Sequence, residues 1–211
     1  MNGGPAGGGD HPGRVDPEAT GIVLAGGRST RFGRDKLAEQ YEGLPLLHHA
    51  ILRVAEVCGD VVLVLAPEAL EPELPMGKTT RIARDPVEGE GPLAGLMAGL
   101  LEVTTEWALV AGGDMPELST AVLLEMLDVA REASVDAVTL AEEGGYRPLP
   151  VALRASPARE AAHLALHDAE RSLHGFLDGL RVAVVDEPTW HALDPQRRTF
   201  RDIDTPGDLE R

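Results

Sequence analysis

The sequence of 211 residues predicts an α/β fold with a mostly parallel sheet. Short apolar runs, typical of strands that are buried on both faces, alternate with segments whose apolar residues recur at helical spacing. Residues 20–25 form the first such run, and residues 44–57 follow with a helical apolar pattern that we expect to end at Gly59. The next run, residues 61–65, completes a strand, helix and strand. This order predicts a βαβ unit with a ligand at the carboxyl end of its first strand.

The later segments continue the alternation as far as the chain end. We predict strands at residues 79–83, 107–111, 136–140 and 181–185, and an extended segment at 146–153 that returns after a turn at 142–145. Helices are predicted from Pro92, from the cap residue Ser119, and at 157–166 and 172–180. Thr205, Pro206 and Asp208 have the spacing of a capping box.

Size and composition favour one domain with an aliphatic core. Hydrophobic residues make up 43% of the chain and aromatic residues only 3%, and the net charge is −16. We therefore expect residues 20–211 to form one domain, after a disordered leader at residues 1–19 that is rich in Gly and Pro. The acidic balance argues against a nucleic-acid partner, and the apolar runs are too short for a membrane span of about 20 residues. These features indicate a cytoplasmic enzyme.

Residues 24–36, with the sequence L-A-G-G-R-S-T-R-F-G-R-D-K, carry the strongest local signal. Paired glycines after a strand let the backbone turn sharply and approach a ligand, and successive N–H groups in such a turn form an anion-binding concavity. Four cations face one carboxylate, so this stretch is positive in an otherwise negative chain. The spacing matches neither a P-loop nor a dinucleotide fingerprint. A polyphosphate is the ligand that this combination favours.

Asp114 is the candidate metal ligand because it follows a predicted strand and two glycines. Magnesium in proteins is usually held by one or two carboxylates, with phosphate oxygens and water as the remaining ligands. The alternative role, a turn former or helix cap, is weaker because Ser119 is better placed to cap the next helix. Asp204, just before the cap Thr205, is equally well explained as a second ligand of the cation or as a structural carboxylate.

Three other features are ambiguous or structural. Gly91, Gly95 and Gly99 leave one helix face nearly bare, which suits either close packing on the sheet or a flat ring laid against the helix. The pairs His48/His49 and His163/His167 are more simply surface or packing residues than metal ligands. Cys58, the one cysteine, is expected to be a buried thiol and excludes an intramolecular disulfide.

Taken in order, the motifs resemble those of one family over about residues 20–211. They are the 24–36 stretch, G-P-L-A-G at 91–95, G-G-D-M-P at 112–116, R-P-L at 147–149 and D-I-D-T-P-G-D-L at 202–209. The family is that of the molybdenum cofactor guanylyltransferases, the MobA family. The resemblance implies a Rossmann-like three-layer α/β/α nucleotidyltransferase fold. It also implies transfer of GMP from Mg-GTP to the phosphate of molybdopterin that carries molybdenum, with release of pyrophosphate.

The resemblance also implies roles for individual residues. Arg31, Lys36 and Asp114 would be catalytic, with Mg²⁺ held by Asp114 and Asp204. The nucleotide would be bound by Lys36, Asp85 and Asp114 and by two backbone-rich segments: Leu24, Ala25, Gly26 and Gly27, and Gly91, Pro92 and Leu93. The expected partners are GTP and molybdopterin, with transient contacts to proteins that make or receive the molybdenum cofactor.

Two departures from the family pattern keep alternatives open. Guanylyltransferases usually carry an asparagine after the second strand, where this chain reads Leu65-Ala66-Pro67, and they often have asparagines at the positions of Asp202 and Asp204. Aspartates there also occur in cytidylyltransferase relatives, whereas Gly26-Gly27 and Gly91-Pro92-Leu93 resemble the guanine-selecting versions. The alternatives are a cytidylyl- or other nucleotidyltransferase acting on molybdopterin or another phosphorylated acceptor, and a non-catalytic nucleotide-binding regulator.

Overall fold

The structure is a computed structural model that describes residues 14–26, 36–77, 79–86 and 91–209. Its strands are β1 (Asp16–Ala25), β2 (Gln40–Tyr41), β3 (Leu44–Pro45), β4 (Cys58–Leu65), β5 (Thr80–Arg84), β6 (Trp107–Gly112), β7 (Ala137–Glu142), β8 (Gly145–Arg154) and β9 (Val182–Val185). Its α-helices are α1 (Leu46–Ala55), α2 (Pro92–Leu101), α3 (Thr120–Glu132), α4 (Ala155–His167), α5 (Leu173–Leu177) and α6 (Glu187–Leu193).

Seven strands form one sheet in the order β5-β4-β1-β6-β8-β7-β9, and β2 pairs with β3 in a separate small hairpin. The large sheet is parallel except at β8, which is antiparallel to both of its neighbours, β6 and β7. The chain passes from β1 to β4 and β5 on one side, and then crosses to β6 on the other. Such a reversal leaves a crevice at the carboxyl ends of the central strands, where α/β proteins bind ligands.

Helices cover both faces of the sheet, which gives the three layers predicted from the sequence. Alternate residues of β1 enter opposite cores: Val23 packs with α1, α3 and α6, whereas Ile22 packs with α2, α4 and α5. Both residues are fully buried. The predicted fold class, a mostly parallel three-layer α/β/α architecture, is confirmed. In the part of the chain that the structure describes, no helix combines the length and the apolar character needed to cross a bilayer.

The predicted elements are present, but several bounds and caps differ. β1 begins at Asp16 rather than at residue 20, so residues 16–19 belong to the sheet and not to the leader. The reason is that Asp16 is 3% exposed and ion-paired with Arg131, so a polar residue is buried where the sequence indicated solvent. Gly59 does not end α1, because it already lies in β4.

The ends of two helices also differ from expectation. Ser119 occupies the N-cap position of α3, but its hydroxyl points to the Leu193 carbonyl at 3.5 Å instead of back to the helix. Helix α6 was not predicted. Its signal was present, since Asp186 caps the helix by accepting a hydrogen bond from the Thr189 N–H, and Pro188 lies in its first turn.

Candidate functional site

A cavity of about 450 Å³ opens at the carboxyl ends of β1, β4 and β6. Its position is the crevice expected from the reversal of strand order between β1 and β6. Glycines, apolar side chains and three charged residues line it. They are Leu24, Gly26, Lys36, Leu37, Val64, Ala66, Pro67, Asp85, Gly91, Pro92, Gly95, Gly112, Asp114 and Leu149. A pocket of this size, mostly apolar with a few charged groups, suits a small-molecule ligand.

The three glycines at residues 91, 95 and 99 have two different roles at the wall that α2 forms. Gly91 precedes the helix with φ 85° and ψ 175°, a conformation that is essentially reserved for glycine. A methyl group at Gly95 would lie 3.6 Å from Oδ2 of Asp85, so that carboxylate faces the bare helix surface inside the cavity. Gly99 instead packs on the sheet, where a methyl group would lie 2.8 Å from Ile22. Both roles are therefore present: Gly91 and Gly95 shape the cavity, and Gly99 brings the helix close to the sheet.

Lys36 forms the charged centre of the opposite wall. Its ammonium Nζ donates to Oδ2 of Asp114 at 2.7 Å, to the Ile203 carbonyl at 3.0 Å and to Oδ1 of Asp204 at 3.3 Å. The Lys36 side chain is 14% exposed, against 29% for Asp114 and 57% for Asp204. Burial by itself lowers the pKa of Lys36, but the hydrogen bonds and charges of the two carboxylates outweigh it, and the net pKa is raised. Lys36 is therefore a permanent cation at this site.

The same geometry shows that Asp114 and Asp204 could hold a divalent cation. One oxygen of each carboxylate contacts the Lys36 ammonium, so the two carboxylates converge. One or two carboxylates are the usual protein ligands of a Mg²⁺ ion that also binds phosphate oxygens. Within the described ranges, no group of three or more His, Cys, Asp or Glu side chains is arranged to bind a metal. The donor set fits a magnesium ion that is carried in with a phosphate substrate.

The segment that carries Asp204 is fixed to the end of β6 by its backbone. The N–H of Ile203 donates to the Asp114 carbonyl at 3.0 Å, and the Ile203 side chain is fully buried against Tyr41 and Leu46. Thr205 and Asp208 then form the predicted capping box of a short 3₁₀ turn. These contacts bring the last part of the chain to a site that begins at the first strand.

A second cavity of about 400 Å³ adjoins the first and shares Asp114 and Leu149 with it. Its other lining residues are Met115, Glu142, Arg147, Pro148 and Asp202. The pairing of β7 with β8 is interrupted between Val138 and Leu140, opposite a stretch of β8 that contains two prolines. Because proline has no N–H to donate, such a stretch leaves the ladder, and bulges of this kind commonly re-aim side chains beside binding sites. Leu149, which lies in this stretch, lines both cavities.

Arg147 is the cation of the second cavity. It is ion-paired with Asp202, donates to the Phe200 carbonyl at 3.0 Å and lies over the Phe200 ring at 5.1 Å from its centre. Burial raises the pKa of Asp202 to about 6, and the nearby Asp114 and Asp204 charges act in the same direction against the opposing Arg147. The ion pair was missed from the sequence. The sequence did contain a signal for it, namely a cation near the start of β8 and an acidic motif at residues 202–209.

Most of the predicted site residues meet at the first cavity. Leu24, Gly26, Lys36, Asp85, Gly91, Pro92 and Asp114 line it, and Asp204 reaches it through Lys36. Ala25 and Leu93 do not line it: Ala25 packs against the core beside α1, and Leu93 is fully buried, with its N–H 3.4 Å from the Arg171 carbonyl. Gly27 and Arg31 lie outside the described residues, so their roles stay predictions.

The histidines and the cysteine have ordinary structural surroundings. Nε2 of His48 is hydrogen-bonded to the Glu73 carbonyl at 2.7 Å, and Nε2 of His49 to the Tyr41 carbonyl at 2.6 Å. Cys58 is 2% exposed, and its burial strongly raises the pKa of its thiol. The predictions of packing histidines at 48 and 49 and of a buried thiol are confirmed.

Comparison with known protein families shows to which family the chain belongs. The family described as the MobA-like NTP transferase domain matches residues 21–184. The chain belongs to this family. It is therefore an enzyme of the nucleotidyltransferase class, and its first cavity, with three charged residues, lies at the carboxyl ends of parallel strands, where open α/β sheets commonly bind ligands.

Individual members of the MobA-like family agree with this assignment over nearly the whole chain. The probable molybdenum cofactor guanylyltransferase of Natronomonas pharaonis is 34% identical, covering 92% of this chain and 96% of that protein. The molybdenum cofactor guanylyltransferase of Desulfosudis oleivorans is 31% identical, covering 91% and 93%.

Solved structures support the fold of this MobA-like protein. The molybdopterin-guanine dinucleotide biosynthesis protein A of Archaeoglobus fulgidus has a TM-score of 0.73 at 24% identity, covering 90% of this chain and 95% of that one. The 2-C-methyl-D-erythritol 4-phosphate cytidylyltransferase of Thermus thermophilus has a TM-score of 0.65 at 19% identity, covering 90% and 94%. A molybdopterin-guanine dinucleotide biosynthesis protein and a cytidylyltransferase thus share one architecture, so the fold alone does not determine which base is bound.

Proposed function

We propose that this protein transfers GMP from Mg-GTP to the terminal phosphate of molybdenum-bearing molybdopterin, with release of pyrophosphate. The observation that carries the proposal is the meeting of Lys36, Asp114 and Asp204 at the mouth of the 450 Å³ cavity. The names of the relatives support the choice of acceptor and of guanine.

The nucleotide would occupy the first cavity. Its base and ribose would lie between Asp85 and the bare face of α2, where Gly91 and Gly95 leave room for a flat ring. Its phosphates would extend toward Gly26 and Lys36. Lys36 would then neutralise charge that develops on the phosphates. Such electrostatic stabilisation is the main contribution to catalysis of phosphoryl-type transfer. Asp114 and Asp204 would hold Mg²⁺, which when bound supplies further neutralisation of the triphosphate.

The acceptor would occupy the second cavity, which meets the first at Asp114 and Leu149. Arg147 is the cation there and would pair with its phosphate. An acceptor phosphate oxygen would attack the α-phosphorus, forming one P–O bond as the bond to the bridging β-phosphate oxygen breaks. A phosphate monoester with a second pKa of about 6 is mostly dianionic at neutral pH, so the attack needs no strong general base.

A cytidylyltransferase is the second candidate, because Asp202 and Asp204 stand where guanylyltransferases often have asparagine. The test is pyrophosphate release with each of GTP, CTP, ATP and UTP, with molybdopterin present or omitted. We expect release with GTP that depends on molybdopterin. Release with CTP alone would overturn the guanine assignment. Binding of a nucleotide without release from any of the four would overturn the catalytic proposal.

A further inference from the structure

Glu117 joins the three chain segments that each carry one charged group of the site. It lies three residues after Asp114, in the connection between β6 and α3. Its Oε1 accepts a hydrogen bond from the Tyr41 hydroxyl, and Tyr41 lies five residues after Lys36. The same oxygen is ion-paired with Arg201, three residues before Asp204.

The junction is well enclosed and its partners are mutually fixed. The Glu117 side chain is 17% exposed, and Arg201 stacks over the Tyr41 ring at 5.5 Å from its centre. Arg201 also donates to the Asp208 carbonyl at 3.1 Å, which joins it to the capping box. Burial and then the Glu117 carboxylate raise the pKa of Tyr41 to about 12, so the phenol keeps its proton and remains a donor at neutral pH.

Shared partners of this kind fix segments relative to one another, because moving any one of them breaks a charge-assisted hydrogen bond in a partly buried setting. The Lys36 ammonium needs such support. It donates to Asp114 on one segment and to Ile203 and Asp204 on another, and both segments are far from Lys36 in sequence. A displacement of 1 Å at a reacting group is enough to cost about 10²-fold in rate.

We propose that Glu117 is a positioning residue, which holds Lys36 where a nucleotide triphosphate in the first cavity would meet it. Glu117 does not line either cavity, so it acts through the segments that it joins and not by touching the ligand. The inference rests on the proposed nucleotide site, but not on the choice of guanine or of acceptor.

The test is a double-mutant cycle on nucleotide affinity, measured without acceptor so that no turnover is needed. The dissociation constant of the Mg-nucleotide, for whichever of the four NTPs the wild-type protein binds most tightly, is measured by calorimetry. The variants are Glu117→Ala, Lys36→Met and both together. If Glu117 acts by positioning Lys36, Glu117→Ala weakens binding about tenfold in the wild-type background and less than about threefold when Lys36 is already absent.

Asp136→Ala is the matched control. Asp136 is similarly enclosed, with 12% of its side chain exposed, and is ion-paired with Arg181 at the other end of the sheet, beside the start of β9. We expect it to lower the melting temperature without changing nucleotide affinity, and to be additive with Lys36→Met. Glu117→Gln keeps an acceptor oxygen for the Tyr41 hydroxyl, so it is expected to restore part of the affinity that Glu117→Ala loses.

Equal loss of affinity from Glu117→Ala in both backgrounds, or no loss, would overturn the inference. If Glu117→Ala does not fold, Tyr41→Phe removes one arm of the junction without leaving a cavity, and the same cycle applies to it. Failure of the proposed function looks different, since the wild-type protein would then bind none of the four nucleotides or bind one without releasing pyrophosphate.

Discussion

Replacement of Lys36 by methionine is the most direct test of the charged centre. The change removes the ammonium and keeps a side chain of similar length that can pack along the same wall. Lys36 would give up a 2.7 Å hydrogen bond to Asp114 on turning toward a phosphate, and an ion pair that is partly open to water contributes about 1 kcal/mol. Its net contribution to transfer is therefore smaller than its gross interaction with the phosphates.

Loss of one preorganised charge-stabilising group costs about 10²–10³-fold in kcat. After the loss of the Asp114 contact is subtracted, we expect Lys36→Met to lower kcat/KM by about 10²-fold, or ~2.7 kcal/mol. The free energy of unfolding should fall by only about 1 kcal/mol. Asp114 retains access to water, and the half-exposed Asp204 gains little from its ion pair. For a domain of this size that loss lowers the melting temperature by about 2–4 °C.

The assay is steady-state pyrophosphate release together with thermal unfolding. Arg53→Met is the matched control, because Arg53 is a cation in the last turn of α1, at the opposite end of the strands, with one weak ion pair to Glu56. It should leave kcat/KM unchanged. A value for Lys36→Met within about threefold of wild type would refute the role of Lys36 in charge neutralisation.

Three further outcomes are expected. Asp114→Ala should abolish pyrophosphate release and leave the circular dichroism spectrum unchanged; retained activity would remove Asp114 from the metal site. Gly91→Ala should lower the free energy of unfolding by about 1–3 kcal/mol from backbone strain alone, and more because the new methyl group would lie 2.8 Å from the Arg171 carbonyl. Gly43→Ala is the control, because Gly43 has a similar positive φ and no atom within 4 Å of the added methyl group. Both variants are compared by urea titration, and an equal loss of unfolding free energy would exclude a contribution from the contact with Arg171. Hydrogen bonds from Arg181 lower the pKa of Asp136, so the stability from this pair is present above the ordinary carboxyl pKa of about 3.9 and is lost as pH falls through the lower folded value. Asp136→Asn should therefore be less stable than wild type at pH 7, with a difference that shrinks on acidification; a constant difference would contradict this linkage.

The parts of the fold that follow from local pattern were predictable. Apolar runs identified β4 and β6 because strands buried on both faces lack polar residues, and the two glycines before Asp114 identified a strand end that opens into the first cavity. The start of β1 was not predictable in the same way. Asp16 is polar, and it is buried only because Arg131, 115 residues later, supplies its partner.

The assembly of the site likewise depends on contacts that have no local signature. Lys36 and Asp204 are 168 residues apart, and each has a plausible independent role when read alone. Leu149 lies where the pairing of β8 with β7 is interrupted, and the Glu117 junction depends on three segments that meet only in the folded chain. Motifs therefore indicated which residues matter, whereas tertiary structure decides which of them touch.

The antiparallel course of β8 within the seven-stranded sheet has a consequence for how the proposed acceptor site could change. Because β8 runs opposite to its neighbours, it begins at the edge where they end, and its first residues, including Arg147, enter the second cavity directly from a tight turn. No residue of that turn, between β7 and β8, lines the first cavity, which opens at the ends of β1, β4 and β6. If the two cavities hold the two substrates as proposed, lengthening or recoding this turn would alter the acceptor cavity and leave the donor cavity intact. Donor and acceptor preference could then diverge independently within one scaffold.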